Sequence, residues 1–310
     1  NLYILTVADI RGTSPHVWNA WKGRLLDELF HSTTRVLRLD QGAPLELEAR
    51  IHDAQADALE QVDSKSIEPD VVHRYWASLP QDYFLRHSAS EIAWHATVLA
   101  QASAISLPIV SIRHDAALKA DLIFVYAAES ELLLSVVTSA LTRLKFNIAD
   151  ARLQQSNTGF ALYTFIALAS NSDNTRDLDV LRRQLRDLIV AGEHEYTGVT
   201  QRLSRTQKHF PIATNVNFTD SSAHYTVMEI VAQDQPGLLH RVAHCLLQCK
   251  VRLINAKIAT YGERVEDVFF ISDRDGEPVN DTQQRNCLSQ KIKQALDPAL
   301  PVQEQKVAGL

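Results

Sequence analysis

Between an apolar run and an amphipathic segment stands Gln233-Asp234-Gln235-Pro236-Gly237-Leu238-Leu239. Proline fixes a turn there, and glycine lets the backbone approach closely where a helix would begin. The free amides of a helix start seat an anion well, so the carboxylate of a free amino acid is a natural guest. Asn255, followed by Ala256 in the next apolar run, offers both a donor and an acceptor, which suits an amide or a zwitterion. A plainer reading also fits: Pro236-Gly237 makes a tight strand-to-helix turn and Asn255 caps a bend. The matching loop 105 residues earlier, Ala128-Glu129-Ser130-Glu131-Leu132, lacks Pro and Gly, and Asp150 replaces Asn255. Its extra carboxylates would repel an anion, which favours the later loop.

Other residue sets invite chemistry and fall short of it. His240, His244, Cys245 and Cys249 look like a metal cluster. At roughly 100° per residue, however, the cysteines share the apolar face of Leu238 and Val242 while the histidines project the other way. The cysteines are expected in the core and the histidines on a solvated or partner-facing side. The doublet His52-Asp53 falls on an exposed helix face and His114-Asp115 in a connector. No glycine-rich phosphate loop and no G-x-S-x-G elbow occurs, so no catalytic residue is assigned.

The elements that must carry these residues change character along the chain. Up to about residue 116 the signals are helical: Thr13-Ser14-Pro15 is a start signal, Trp18, Trp21, Leu25 and Leu29 recur at helical spacing, Pro44 opens a second run, and Ser88-Ala89-Ser90-Glu91 is a capping box. Strand-like and amphipathic segments then alternate as β-α-β-β-α. A shift of 105 residues superimposes Lys250-Val251-Arg252-Leu253-Ile254 on Lys145-Phe146-Asn147-Ile148-Ala149 without a gap. The fold class is therefore α+β: an all-helical region (1–116), then two ferredoxin-like βαββαβ units (117–210 with a basic linker, and 211–310), each a small sheet with two helices on one face. Residues 302–307 supply a plausible last strand.

The chain has 310 residues, 31 Lys+Arg against 37 Asp+Glu, and a net charge of −6. That charge disfavours general nucleic-acid binding. Apolar runs fall far short of the ~20 residues that span a bilayer, and three cysteines make no disulfide framework, so a reducing cytoplasm is expected. The chain opens on Asn1 and its single Met is Met228, which reads as the C-terminal part of a longer protein.

The run Val227-Met228-Glu229-Ile230-Val231-Ala232-Gln233-Asp234-Gln235-Pro236-Gly237-Leu238-Leu239, with Asn255-Ala256-Lys257 and Val265-Glu266-Asp267-Val268-Phe269-Phe270, resembles an ACT domain. In detail it is similar to the last ACT domain of the bifunctional uridylyltransferase/uridylyl-removing enzymes that modify the PII signal protein. Leu5-Thr6-Val7-Ala8-Asp9-Ile10-Arg11-Gly12-Thr13, Trp18-Asn19-Ala20-Trp21-Lys22 and Tyr83-Phe84-Leu85-Arg86-His87-Ser88 agree with that family. The resemblance implies a parent with a nucleotidyltransferase, a metal-dependent HD phosphohydrolase and two ACT domains. Such a parent moves UMP from UTP to PII and removes it when glutamine is high. It implies glutamine as effector at Asp234, Gln235, Pro236, Gly237, Leu238, Leu239, Asn255 and Ala256, with PII and the upstream catalytic domains as partners. Mg2+ or Mn2+ would serve the parent. Asp9 resembles the last metal-binding Asp of the HD set, here without its fellow ligands, so no cofactor and no catalysis are expected of this segment. Two alternatives stand beside this: an ACT pair serving as an interaction or oligomerisation module, and the tail of an HD-ACT protein of the (p)ppGpp synthetase/hydrolase type.

Overall fold

The computed structural model describes residues 2–13, 23, 26, 27, 29, 30, 33, 34, 43–62, 67–102, 107–168, 177–192, 212–220, 225–261 and 264–297. The expected start signal at Ser14-Pro15, the 18–22 motif, the 201–210 linker and the 302–307 strand lie outside them. Two compact units are present: Asn1–Gly198 with Ile254–Ile258, and Val199–Leu253 with Ala259–Leu310.

The first unit opens with helices α1 (Leu2–Thr13), α2 (Ala43–Gln61), α3 (Pro69–Trp76), α4 (Gln81–Arg86) and α5 (Ala89–Gln101). Proline at the start of α3 and a complete Ser88/Glu91 capping box on α5 set their first turns. Ala58, Val62, Val72, Trp76, Tyr83, Phe84 and Ile92 pack into one core. Then come strands β1 (Ile109–Asp115) and β2 (Ala120–Ala128), helix α6 (Leu133–Arg143), strands β3 (Asn147–Gln155) and β4 (Phe160–Leu168), and helix α7 (Leu178–Ala191). The sheet order is β1-β2-β4-β3, all antiparallel.

This sheet departs from the expected two-layer unit because it is covered on both faces. Phe124 and Leu162 join the helical core, while the alternate row of Ile123, Val125 and Phe165 is buried as well. The unbroken apolar stretch Leu122-Ile123-Phe124-Val125 is the sequence mark of that double burial.

The second unit contains β5 (Asn215–Asp220), β6 (Thr226–Gln233), α8 (Leu238–Gln248), the short β8 (Thr260–Tyr261), β9 (Arg264–Ser272) and α9 (Thr282–Leu296). Its strands run β9-β6-β5, antiparallel, with β8 on β9. Here β6 alternates, with Met228, Ile230 and Ala232 buried and Glu229 exposed between them, as a sheet with one packed face requires. Strand β7 (Arg252–Lys257) begins in this unit, and its residues from Ile254 onward count with the first, where they pair antiparallel to β3.

The 105-residue repeat is visible in backbone detail. Helices α6 and α8 begin and end at equivalent residues. Each is followed by a lysine in the left-handed region, Lys145 (φ 58°) and Lys250 (φ 59°). In each unit an edge strand, β1 or β5, precedes the strand it flanks. Residues 109–115, read from the sequence as the end of the helical region and a connector, form that strand in the first unit, because a hairpin lets β1 pair along the whole of β2.

Candidate functional site

The turn from β6 to α8 is built on Gly237, which is left-handed (φ 74°, ψ 20°) and stands at the N-cap position. A side chain there would be strained. No side chain among the described residues caps α8, so the amides of its first turn, which have no intrahelical acceptor, are an electropositive feature of this corner. The loop is pinned from the side: Gln235 Nε2 donates to the Leu296 carbonyl at 3.0 Å and Arg241 Nη1 donates to the Ala295 carbonyl at 3.0 Å, both on the last turn of α9. Gln235 thus serves as a strut. Leu238 and Leu239 are buried and pack, while Pro236 and Asp234 are exposed. Burial of part of the Asp234 carboxyl raises its pKa, and the Gln235 amide works against that rise.

A residue outside the sequence-based site completes this corner. Asp267 lies in the inward row of β9 with Val265, Phe269 and Ile271, opposite Ile230 of β6, and is 1% exposed. Its Oδ1 accepts the Ala259 N–H at 3.1 Å, and its Oδ2 has no hydrogen-bond partner. Burial pushes its pKa up to about 7; the Ala259 amide lowers it and the nearby Asp234 charge raises it. Gln233, at the end of β6, is also buried with Nε2 unpartnered. A carboxylate in the inward phase of an alternating strand is the signal that marks Asp267 in the sequence.

Asn255 and Ala256 fall in the first unit, apart from the unit that holds residues 234–239. They pair with Arg152 and Ala151 of β3, and the buried Asn255 Oδ1 has no hydrogen-bond partner. Asp150, expected to repel an anion, is instead neutralised: Arg152 Nε stands 2.9 Å from Oδ2 and Lys257 Nζ 2.8 Å from Oδ1. Arg152 also grips Glu91, Nη2 to Oε1 at 2.7 Å and Nη1 to Oε2 at 3.0 Å. Burial alone would raise the Glu91 carboxyl, but the Arg152 guanidinium outweighs it and holds Glu91 well below the usual carboxylate range.

Around this pair the 83–95 motif forms a closed polar network. Tyr83 Oη bonds His95 Nδ1 at 2.8 Å, His87 Nε2 meets Thr164 Oγ1 at 3.2 Å, and His87 Nδ1 donates to the Tyr83 carbonyl at 2.9 Å. Burial, then the Arg152 charge, lowers the His87 pKa to about 3. The His95 ring stacks on Phe124 at 4.1 Å. These groups lock α4 and α5 onto the sheet and are buried.

The remaining candidates are placed plainly. Asp9 is exposed on α1, and among the described residues no group of three His, Cys, Asp or Glu could hold a metal ion. One carboxylate does not fit a catalytic ion. His52 and Asp53 are exposed on α2. His114 pairs with Asp121 at 2.9 Å, while Asp115 caps the amides of Ala117 and Leu118. Two expectations are corrected. His240 is buried, at 5% exposure, because α8 is covered beyond its apolar stripe. Cys249 is in the core as expected, but it forms a disulfide with Cys287, 38 residues away, which the reading that three cysteines make no disulfide framework did not anticipate. Cys245 stays free, its thiol pushed up to about 11 by burial. None of the described helices is long and apolar enough to cross a membrane.

Residues 46–98 match the family model described as the fifth domain of the uridylyltransferase GlnD, and residues 215–306 match an ACR9-like, ACT-like domain. The chain is 38% identical over 303 residues to the bifunctional uridylyltransferase/uridylyl-removing enzymes of Pseudomonas putida and Pseudomonas entomophila. It is 37% identical over 303 residues to that of Pseudomonas fluorescens. Each alignment covers 95% of this chain and 34% of the relative. The chain therefore spans about a third of the length of the curated relatives it matches.

Proposed function

We propose, from the premise that this chain corresponds to the C-terminal part of the bifunctional uridylyltransferase/uridylyl-removing enzymes, that it is the regulatory portion of such an enzyme. On this reading its second ACT-like unit binds free glutamine at the turn from β6 to α8. The observation that carries the proposal is the uncapped start of α8 behind a left-handed Gly237, beside a fully buried carboxyl. The glutamine carboxylate lies on the first-turn amides of α8, where backbone donors and the helix dipole favour an anion. Leu238 and Leu239 anchor the helix so that these donors stay fixed, and Gln235 and Arg241 hold the loop to α9.

The activity under control is the parent's: transfer of UMP from UTP to PII, and its removal when glutamine is abundant. This segment itself takes no part in the bond making. Control requires glutamine to bind two arrangements of the chain with different affinity, and its effect is limited to that difference.

Titration calorimetry of this chain with glutamine tests the reading. Saturable heat is expected, abolished by Gly237→Glu, which places a carboxylate at the anion seat and a side chain in the left-handed region. Saturating glutamine that gives neither heat nor a shift in melting temperature overturns it.

A further inference from the structure

The inward row of β9 reads Val265, Asp267, Phe269, Ile271, three apolar side chains and one carboxyl. A buried carboxyl with one oxygen unpaired costs stability, and native structures tolerate such a group chiefly where it is used. Among the described residues no ion pair neutralises Asp267: Oδ1 is held by a backbone amide and Oδ2 by no hydrogen bond. This contrasts with Asp150, the buried carboxylate of the first unit, which has both Arg152 and Lys257.

Its position decides what it faces. In the β6–β9 register Ile230 lies opposite Asp267, Ala232 opposite Val265 and Gln233 opposite Arg264. Asp267 thus stands three residues along β9 from the pair Gln233–Arg264, after which the chain passes through Asp234 to the start of α8. Asp234 is close enough for its charge to act on Asp267. The corner therefore carries opposite signs side by side: helix amides that favour an anion and two carboxyls that favour a cation.

We propose that Asp267, with Asp234 at its side, receives the α-ammonium of the amino acid whose carboxylate rests on the start of α8. The inference rests on the glutamine-binding reading above and adds the residue that makes the site specific for a zwitterion. The unpartnered Gln233 Nε2 is the neighbouring neutral donor. A ligand ammonium supplies the missing partner of Oδ2, so a group that is unfavourable in the empty protein becomes a charge-assisted contact in the complex. The fold gives up stability at this position and recovers it on binding.

The experiment compares two ligands on two proteins. Wild-type chain and Asp267→Asn are titrated with glutamine and with its des-amino analogue, in which hydrogen replaces the ammonium. Asparagine keeps the acceptor for Ala259 N–H and replaces the free oxygen by a donor. Glutamine is expected to bind the variant about tenfold more weakly or worse, while the des-amino analogue, weak on the wild type, loses nothing further. The ligand-free variant is expected to melt no lower than the wild type. Glutamine affinity unchanged in Asp267→Asn overturns this inference and leaves the glutamine reading standing; no glutamine binding to the wild type removes both. Should the variant not fold, the wild type alone decides, since equal affinity for glutamine and its des-amino analogue excludes an ammonium contact.

Discussion

Arg152 of β3 and Glu91 of α5 meet in a two-point ion pair, 2.7 and 3.0 Å, with both side chains buried. Glu91 simultaneously caps its own helix by accepting from the Ser88 amide. One carboxylate therefore fixes a helix start and ties that helix to the sheet. Glu91→Ala is expected to cost about 3–5 kcal/mol, because it removes the cap and leaves Arg152 with Asp150 as its remaining buried anion. Urea unfolding followed by tryptophan fluorescence measures it, and a loss near that of an exposed ion pair would show the network to be dispensable.

Two buried groups impose opposite pH slopes. His87 is neutral in the folded chain, with its pKa lowered to about 3, so between there and about 6.5 the unfolded chain binds the extra proton. Its contribution falls as pH falls through that window. Asp267 is raised to about 7, so between about 4 and 7 the folded chain binds the extra proton and stability falls as pH rises. Denaturation midpoints of His87→Gln and Asp267→Asn, each subtracted from the wild type across pH 4–8, are expected to slope in opposite senses. Parallel difference curves would remove both assignments.

Lys145 and Lys250 occupy the same left-handed turn in the two repeats, with Phe146 N–H and Val251 N–H closing back on the carbonyls of Leu141 and Leu246 at 3.0 Å each. Glycine adopts that backbone without the Cβ penalty. Lys145→Gly and Lys250→Gly are each expected to stabilise the chain by about 0.5–1 kcal/mol in chemical denaturation, despite the greater freedom glycine gives the unfolded state.

Much of the candidate site was legible because it is local. Gly237 in a turn after an alternating strand announces a helix start, and the structure has it. The capping box at Ser88 and Glu91 was readable for the same reason, since all its partners lie within four residues. Asp267 carries only its inward phase as a signal in the sequence: its meaning comes from facing inward near Asp234, and that needs the β6–β9 register. His240 is buried although it lies off the apolar stripe, because periodicity reports the stripe a helix must bury and is silent on what else covers it.

The sequence alone determined the repeat, the placement of the helices and the special turn, because helix starts, left-handed positions and apolar periodicity are set by residues within a few steps of one another. Tertiary structure decided the rest. It covered β2 on both faces, neutralised Asp150 with Arg152 and Lys257, joined Cys249 to Cys287, and assigned Asn255 to a different unit from Gly237. Those outcomes depend on which distant surfaces exclude water from one another, and desolvation, unlike a turn, is not written in any short stretch of chain.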